Sequence, residues 1–364
     1  MTERMPKCMT RWLTRWLTGW LTGWLTRWTT KWTEKNATAF VTAPGHRRDR
    51  RRPALLVGTL LVSLIGLAGC DLAGGLATEA LIQRGPALEP RDGYVVDHRH
   101  PARGHNSRVH FLILHYTDEN QADSLRALTG PRVSSHYLVP LPTRRLQNTP
   151  VVFQLVPESR RAWHAGASRW GNRVGLNDTS IGIEIVNQGP DRPWVGSELD
   201  APEGPVRWAS YPGDQLNALI PLARDIIERH RIASEHVLAH SDVAPLRKLD
   251  PGPAFPWRKL HEAGIGAWPE APRVAHYRSR FEREPPALIE WQRALAAWGY
   301  GIEASGVWDD ASRATLRAFQ LHFRPANFDG QPDADSAARL WALLERYRPE
   351  ALEQLEQGAQ RKAL

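Results

Sequence analysis

Five short apolar runs between residues 109 and 240 constrain the fold of this 364-residue chain more than any other feature. Each run is five to seven residues long and rich in Val, Ile, Leu or aromatic residues, which is typical of β-strands. Polar stretches and a long helical pattern separate the runs, as in α/β domains. We therefore predict a mixed β-sheet flanked by helices. The predicted strands are 109–115, 135–140, 151–156, 181–187 and 236–240.

One amphipathic helix is predicted from Asp214 to about His230. Its apolar residues recur at intervals of three and four, which places them on one face. Asp214 is a favourable N-cap residue. Pro221 lies inside the pattern and lacks the backbone N–H that a helix interior needs, so we expect it to kink the helix or to move its start.

A second, small all-α domain is predicted at residues 287–347, after a linker at 266–286. Three segments with helical apolar spacing indicate a three-helix domain. Two turns repeat one pattern 24 residues apart, and each places a Gly before a polar cap and a helix start. These turns are Gly306-x-x-Asp309-x-x-Ser312 and Gly330-x-x-Asp333-x-x-Ser336.

The N-terminal part of the sequence has the features of a targeting segment. Residues 53–69 carry no charge and follow the basic run HRRDRRR, which is the order of regions in a secretory signal. The segment ends in LAGC and resembles a bacterial lipobox, in which the chain is cut before a Cys that is then lipidated. We therefore predict a leader at 1–69, lipidation of Cys70 and a tether at 70–90.

Two other interpretations of this segment remain open. A transmembrane helix needs about 20 apolar residues, and this apolar run is shorter. An ordinary secretory cut would leave the thiol without lipid. The Trp repeat within residues 1–45 reads as low-complexity sequence upstream of the true start, and we assign it no function.

Location and charge narrow the class of partner. From the lipid anchor we predict an envelope protein that faces the periplasm and is attached to the outer membrane. Asp71, the residue after Cys70, leaves attachment to the inner membrane as an alternative. The net charge of +8 does not indicate a nucleic-acid partner, because residues 1–69 alone carry a balance of +9 and the remainder is nearly neutral. A nucleic-acid-binding face requires clustered basic residues. We predict no nucleic-acid partner.

The cysteine positions restrict the kind of metal site. Cys8 and Cys70 are the two cysteines of the chain, so a metal in the body must use His, Asp or Glu. His115 and His240 each end an apolar strand, and Asp250 follows ten residues after the second. Two imidazoles and one carboxylate suit catalytic zinc, with a fourth position left for water. Four histidines in a polar stretch are expected to bind nothing: His98, His100, His105 and His110.

Two further residues are candidates for chemistry. Glu184 lies in the middle of an apolar strand, on the face opposite three isoleucines. A carboxylate there is costly unless it has a partner, such as a metal centre and its water; a solvent-facing Glu on a half-exposed sheet is the alternative. Lys248 lies two residues before Asp250 and could stabilise an oxyanion, although a surface lysine is the simpler interpretation.

Five motifs in order carry a resemblance to a known family. They are FLILHYT, SSHYLV, RAWHAGASRWG, LNDTSIGIEIVN and LAHSDVAPLRKLDPGPAFPW. Residues 92–262, within a predicted catalytic domain at 91–265, resemble the zinc-dependent N-acetylmuramoyl-L-alanine amidases of the type 2 group, whose fold is that of peptidoglycan-recognition proteins. Residues 287–347 are similar to the peptidoglycan-binding type 1 domain. The resemblance implies a peptidoglycan substrate and a Zn²⁺ cofactor.

The resemblance also implies roles for individual residues. His115, His240 and Asp250 match the zinc ligands, Glu184 matches the residue that activates water, and Lys248 matches the lysine that stabilises the transition state. Five more residues fall in motifs that line or support the substrate-binding cleft: His136, Trp163, His164, Asn177 and Asn187. The reaction implied is hydrolysis of the amide between N-acetylmuramic acid and L-alanine, in cell-wall turnover.

Two departures from the family pattern and two alternative functions accompany this interpretation. Residues 141–150 are longer than the usual turn, and the loop at 190–213 is long, so both leave substrate details open. Some proteins of this fold bind peptidoglycan without cutting it, which is the main alternative function. A metal enzyme for another amide is a further alternative, against which the C-terminal domain argues.

Overall fold

The computed structural model describes residues 87–194 and 196–363 of the chain. The chain divides into two units between Val96 and Asp97, and the second unit, Asp97–Leu364, is compact. The predicted leader, Cys70 and most of the predicted tether lie outside the described residues. In chain order the strands are β1 (Leu88–Arg91), β2 (Tyr94–Asp97), β3 (Phe111–Tyr116), β4 (Tyr137–Val139), β5 (Arg145–Leu146), β6 (Thr149–Pro150), β7 (Phe153–Gln154), β8 (Arg169–Trp170), β9 (Arg173–Val174), β10 (Ser180–Ile185) and β11 (Val237–Ala239).

The helices carry most of the remaining regular structure. In chain order they are α1 (Gln121–Leu128), α2 (Gly213–His230), α3 (His240–Val243), α4 (Trp257–Glu262), α5 (Ala271–Phe281), α6 (Leu288–Trp298), α7 (Asp310–Phe323), α8 (Ala334–Tyr347) and α9 (Pro349–Ala363). Within residues 87–194 and 196–363, none of the helices combines the length and the apolar character that crossing a bilayer demands.

A five-stranded mixed sheet forms the centre of the second unit. Its order is β11-β3-β10-β4-β7, with β7 antiparallel to β4 and the other pairs parallel. These are the five strands that the apolar runs predict, so the mixed sheet is confirmed. The central strand β3 is buried from Phe111 to His115, as expected for a parallel strand covered on both faces.

Strand register brings the chemistry-bearing residues to one face. His115 on β3 is directly opposite Glu184 on β10, and side chains at paired positions of adjacent strands point to the same side of a sheet. The isoleucines of β10 point to the other side, into a core shared with α2. The predicted division of this strand into an isoleucine face and a Glu184 face is therefore confirmed.

Helix α2 matches the prediction except at its start. Pro212 is the N-cap, and Asp214 lies in the first turn, where its charge is favourable to the helix dipole. The helix neither begins nor ends at Pro221. That residue is on the exposed face, where water can bind the carbonyl left without an intrahelical N–H.

Helices α6, α7 and α8 are the three predicted helices of the C-terminal region. The two repeated turns act identically: Asp309 and Asp333 each accept a hydrogen bond of 2.8 Å from the backbone N–H three residues later. Gln292 and Gln320 each accept from the turn glycine, at 2.7 and 2.8 Å. Both glycines have positive φ, as helix-linking turns of this kind require.

The segment 266–286, predicted as a linker, differs from that expectation because it contains α5. Val274, Tyr277 and Phe281 are buried in the core of the C-terminal helices, and α5 packs against α8. The apolar spacing of three and four residues is that of an amphipathic helix. Two arginines stand between Tyr277 and Phe281 and make the spacing less conspicuous. Helices α5 to α9 (residues 271–363) are referred to below as the C-terminal helices.

The C-terminal helices contact the sheet region through buried polar groups as well as apolar ones. Asp242, in α3, accepts hydrogen bonds from the Tyr300 hydroxyl at 2.6 Å and from the His322 Nδ1–H at 2.7 Å. The same carboxylate accepts from the backbone N–H of Ala239 at 2.8 Å. A buried carboxylate with several donors is stable only in a fixed geometry, so this contact docks the helices onto the sheet.

Candidate metal centre and catalytic cleft

Three buried side chains meet at the edge of the sheet. His115 lies near the end of β3, His240 directly follows β11, and Asp250 is in the loop after α3. The Nδ1 atoms of the two histidines are 2.9 Å apart, and each is 3.1 Å from Asp250 Oδ2. Asp250 is tied to this place because its carbonyl accepts from the backbone N–H of Ser241 at 3.0 Å. The structure therefore brings the three predicted ligands together.

A chain of hydrogen bonds fixes the tautomer of His115. The Ser180 hydroxyl is 2.7 Å from the Leu176 carbonyl, which can only accept, so Ser180 donates there. The Ser180 oxygen must then accept from His164 Nε2–H at 3.1 Å. Consequently His164 Nδ1 accepts from His115 Nε2–H at 3.0 Å. The Nδ1 of His115 is left with a free lone pair that faces the centre.

The tautomer of His240 is fixed by a backbone carbonyl. Its Nε2–H donates to Ala165 at 3.2 Å, so its Nδ1 also presents a lone pair. Asn177 holds this carbonyl in place, because its Oδ1 accepts from the backbone N–H groups of His164 and Ala165 at 3.1 and 2.8 Å. Of the two roles predicted for Asn177, to line the cleft or to support it, these contacts are those of a supporting residue.

The donor set fits a divalent cation. Burial, followed by the neighbouring His240, lowers the pKa of His115 to about 4, so that imidazole is neutral at pH 7. Neutral imidazoles at both positions would present two lone pairs to a carboxylate oxygen, an arrangement that a cation at the centre stabilises. Ligands of tetrahedral zinc are about 3.3 Å apart when each is about 2.0 Å from the ion, close to the separations here.

Gly182 leaves room for the imidazole of His164. A Cβ at this position would lie 2.5 Å from His164 Cγ, so only glycine fits. Because Gly182 and Glu184 are two residues apart on β10, they share a face. The ring of His164 thus fills the space beside the candidate base and positions His115.

Replacing His164 by Phe should weaken metal binding by about 10- to 100-fold, the usual cost of losing an outer partner of a metal ligand. Phe keeps a ring over Gly182 but cannot accept from His115 Nε2–H. Competition with a chromophoric chelator measures the affinity. Trp163→Phe is the matched control, since this neighbour has no contact with the ligands and should leave the affinity unchanged. Equal metal affinity of His164→Phe and the unsubstituted protein would contradict the role given to the hydrogen bond between His164 and His115.

Glu184 is partly buried at the floor of the cleft, and its Oε2 atom is buried without a hydrogen-bond partner among the described residues. Burial, followed by the charge of Asp250, raises the pKa of Glu184 well above the ordinary value for Glu. A raised pKa places the carboxyl nearer the range in which it can both take and return a proton. The solvent-facing alternative for Glu184 does not hold.

The cleft beside these residues encloses about 260 Å³. Trp163 lies on its rim and is 52% exposed; its backbone N–H donates to the Ser134 hydroxyl at 2.9 Å. His164 and Lys248 also line the cleft. Lys248 is partly exposed and lies on the segment between the predicted ligands His240 and Asp250, which brings its ammonium group to the cleft.

Two predicted residues support the cleft from a distance. His136 is fully buried: its Nδ1 accepts from the Gly182 N–H at 3.0 Å, and its Nε2–H donates to the Arg160 carbonyl at 3.1 Å. Asn187 donates to the carbonyls of Ala209 and Ser210 at 3.3 and 3.1 Å. Both residues therefore hold loops and strands in place and do not line the cleft.

Sequence reasoning missed several residues that line the cleft. Tyr116 and Arg247 are each adjacent to a residue that was singled out, so adjacency was an available signal. Arg247 donates to the carbonyls of Ala165 and Ala167 at 3.1 and 2.8 Å. Trp194 comes from the long loop, and no sequence pattern places it. Within residues 87–194 and 196–363, the histidines expected to bind nothing lie outside the ligand cluster.

Comparison with known families identifies two matching regions. Residues 105–253 match the family described as N-acetylmuramoyl-L-alanine amidase, and residues 284–340 match the putative peptidoglycan binding domain. The N-acetylmuramoyl-L-alanine amidase AmiD of Escherichia coli K12 is 43% identical over 289 residues, which cover 79% of this chain and 97% of that protein. The 1,6-anhydro-N-acetylmuramyl-L-alanine amidase AmpD of Enterobacter cloacae is 37% identical over 30% of this chain and 49% of its own length.

Two solved structures share the fold over most of the chain. AmiD of E. coli, in complex with the substrate anhydro-N-acetylmuramic acid-L-Ala-D-γ-Glu-L-Lys, matches with a TM-score of 0.65 and 42% identity, over 72% of this chain and 98% of that one. AmpDH3 of Pseudomonas aeruginosa matches with a TM-score of 0.62 and 41% identity, over 69% of this chain and 98% of that one.

Proposed function

This chain belongs to the N-acetylmuramoyl-L-alanine amidase family, and from that premise we propose that His115, His240 and Asp250 hold a catalytic zinc ion. The enzyme hydrolyses the amide that joins N-acetylmuramic acid to L-alanine in peptidoglycan. The triangle of three facing ligand atoms beside Glu184 carries the proposal for zinc. An N,N,O donor set of this kind is common in catalytic zinc sites and leaves a coordination position open.

Glu184 and Lys248 supply the protein's part of the chemistry. When bound, zinc would supply the Lewis acidity that activates water and polarises the amide carbonyl. Glu184 takes a proton from the attacking water and returns it to the leaving nitrogen as the carbon–nitrogen bond breaks. Lys248 offers its ammonium to the negative charge that develops on the carbonyl oxygen. The products are a muramyl carboxylate and a peptide with a free L-alanine amine.

Trp163 and the fixed loops around it prepare the cleft for a muropeptide. The exposed indole on the rim offers a flat apolar face, which suits the face of a sugar ring or a peptide backbone. His136, Asn177 and Asn187 hold the surrounding backbone, so the cleft is largely preformed. The AmiD complex with an anhydromuramyl tripeptide supports the choice of such a compound as a substrate here.

Incubation of the enzyme with purified sacculi and with an anhydromuramyl tripeptide tests this function. Mass spectrometry should find stem peptides that begin with a free L-alanine, together with sugar free of peptide. A chelator should suppress release, and added zinc should restore it. Tight binding to sacculi without release of peptide would support the recognition-only alternative, against which the full ligand set and Glu184 argue.

An enzyme of this specificity acts in the cell envelope. We propose that it is attached there by lipid on Cys70, and in the outer membrane, although Asp71 keeps the inner membrane open. Two or more acyl chains are needed for stable anchoring, at about 0.8 kcal/mol per buried methylene. We expect the protein to incorporate labelled palmitate and Cys70→Ser to abolish that incorporation. Incorporation that persists in Cys70→Ser would contradict lipidation at this residue.

A further inference from the structure

A long loop forms one wall of the catalytic cleft. This cleft loop comprises residues 190–194 and 196–208. Its two ends are joined because Pro190 pairs with Trp208 and the Asp191 N–H donates to the Arg207 carbonyl at 2.8 Å. Trp194 and Gly196 line the cleft itself. The position of this loop therefore sets the width of the cleft on that side.

Gly196 rests directly against the backbone that carries Lys248. A Cβ at position 196 would overlap the peptide group that joins Arg247 to Lys248. Since that neighbour is backbone and cannot rotate away, glycine is required for the contact. The cleft loop thus supports the segment that presents the Lys248 ammonium to the reaction space.

The other side of the cleft loop is held by a buried arginine of the C-terminal helices. Arg317, in α7, is 1% exposed. Its guanidinium donates to the Glu198 carbonyl at 2.5 Å and to the Gly196 carbonyl. Burial, followed by the neighbouring Arg313, lowers the pKa of Arg317 to about 10, so the group stays charged at neutral pH. None of the catalytic steps given to Glu184 and Lys248 uses this buried charge.

Apolar contacts fix the same junction. Trp194 packs with Leu321 of α7 and with Leu249, the residue before the ligand Asp250. The ring of Phe328, which follows α7, lies 5.8 Å from that of Trp194. The wall of the cleft is therefore placed between the metal-binding segment on one side and α7 on the other. The planar fork of an arginine, with five donors, suits the binding of two carbonyls at once.

We propose that Arg317 is a positioning residue for amide hydrolysis: it holds the cleft loop against Lys248, so the C-terminal helices complete the catalytic cleft as well as any site for polymeric peptidoglycan. The proposal rests on the amidase function above. Loss of the fork leaves the Gly196 carbonyl without its donor and the Glu198 carbonyl with only the indole N–H of Trp194, at 2.9 Å. The loop then moves outward so that water can bind these groups. That movement widens the cleft and releases the Lys248 backbone.

Arg317→Met tests the proposal with a soluble anhydromuramyl tripeptide, which needs no binding to the polymer. We expect kcat/KM to fall by about 10- to 100-fold, because a displacement of about 1 Å at a catalytic group has that effect. The fall should be mainly in kcat, and metal content should not change. Hydrogen exchange in residues 196–208 should become faster. Arg317→Lys keeps the charge and some donors, so its activity should be intermediate.

Arg280→Met is the matched control, because it removes an arginine of the C-terminal helices that lies away from the cleft loop. Arg280 forms an exposed ion pair with Glu356 at 3.0 Å, and exposed pairs contribute little, so activity should be retained. Gly196→Ala perturbs the cleft loop from the catalytic side and should reproduce the loss. If Arg317→Met does not fold, the activity of Gly196→Ala tests the proposal in its place.

Turnover of the soluble peptide at the unsubstituted rate by Arg317→Met, or by Gly196→Ala, would overturn the proposal. So would unchanged hydrogen exchange in residues 196–208 of Arg317→Met. The exchange measurement needs no catalysis. A failure of the proposed role of Arg317 is therefore distinguishable from a failure of the amidase assignment.

Discussion

Replacing Glu184 by Gln should reduce amide hydrolysis by about 10²- to 10⁴-fold, the range that a positioned acid–base group contributes, while the metal stays bound. Gln has the shape of Glu but can neither take a proton from water nor return it to the leaving nitrogen. Glu184 is not one of the three ligands, so metal content and thermal unfolding should be close to those of the unsubstituted enzyme. Initial rates on an anhydromuramyl tripeptide measure the effect.

Glu119→Gln is the matched control for this substitution. Glu119 is an exposed residue that also lines the cleft, and it contacts none of the ligands. We expect its removal to alter the rate far less than removal of Glu184. Hydrolysis by Glu184→Gln at a rate similar to that of the control would show that another group moves the proton.

Replacing Asp250 by Asn should remove the metal and with it the activity. Asp250 is the one anionic ligand, and its Oδ2 is 3.1 Å from both imidazole nitrogens. An amide at this position lacks the charge and can turn an N–H₂ toward the ion. The affinity should fall by more than about 100-fold, the upper cost of losing an outer partner alone. Metal analysis after gel filtration and rates on the tripeptide measure both effects.

Thermal unfolding gives a second readout of the same substitution. A ligand that binds only the folded state stabilises it, so a chelator should lower the Tm of the unsubstituted enzyme and leave that of Asp250→Asn unchanged. Asp118→Asn is the control, since Asp118 lines the cleft outside the ligand cluster. Stoichiometric metal in Asp250→Asn would contradict the ligand set.

The sheet and the ligands were predictable because they depend on local patterns. Apolar runs of strand length mark β3 and β11, and a histidine at the end of each is visible in the sequence. The choice of Asp250 and Glu184 required the motif resemblance as well, because a lone carboxylate has many ordinary explanations. Strand register then places His115 beside Glu184, a relation that adjacency of the two strands alone does not fix, because a slip of one residue would put the two side chains on opposite faces.

The rest depends on contacts between residues far apart in the chain. The Asp242 carboxylate bonds to Tyr300 and His322, which are 58 and 80 residues away, and no spacing rule connects them. Similarly, the chain from His115 through His164 to Ser180 is fixed by where loops fold back. Helix α5 was missed for a different reason: it has as many arginines as buried apolar residues, three of each, so its composition does not stand out as that of a packed helix.

The docking of the C-terminal helices changes how that region is understood. The sequence suggests a separate module that holds the enzyme on its polymer. In the structure, Asp242 lies two residues after the ligand His240 and is bonded to two side chains of that region. We expect a module joined in this way to shape the catalytic region and to contribute to the hydrolysis of soluble substrates as well.

Anomalous diffraction at the zinc absorption edge, on crystals of the enzyme purified without added chelator, tests the central claim most directly. We predict one strong peak within bonding distance of His115 Nδ1, His240 Nδ1 and an oxygen of Asp250, with the Glu184 carboxylate beside it. A catalytically active crystal with no peak at these three atoms, or with its zinc bound elsewhere, would contradict the account.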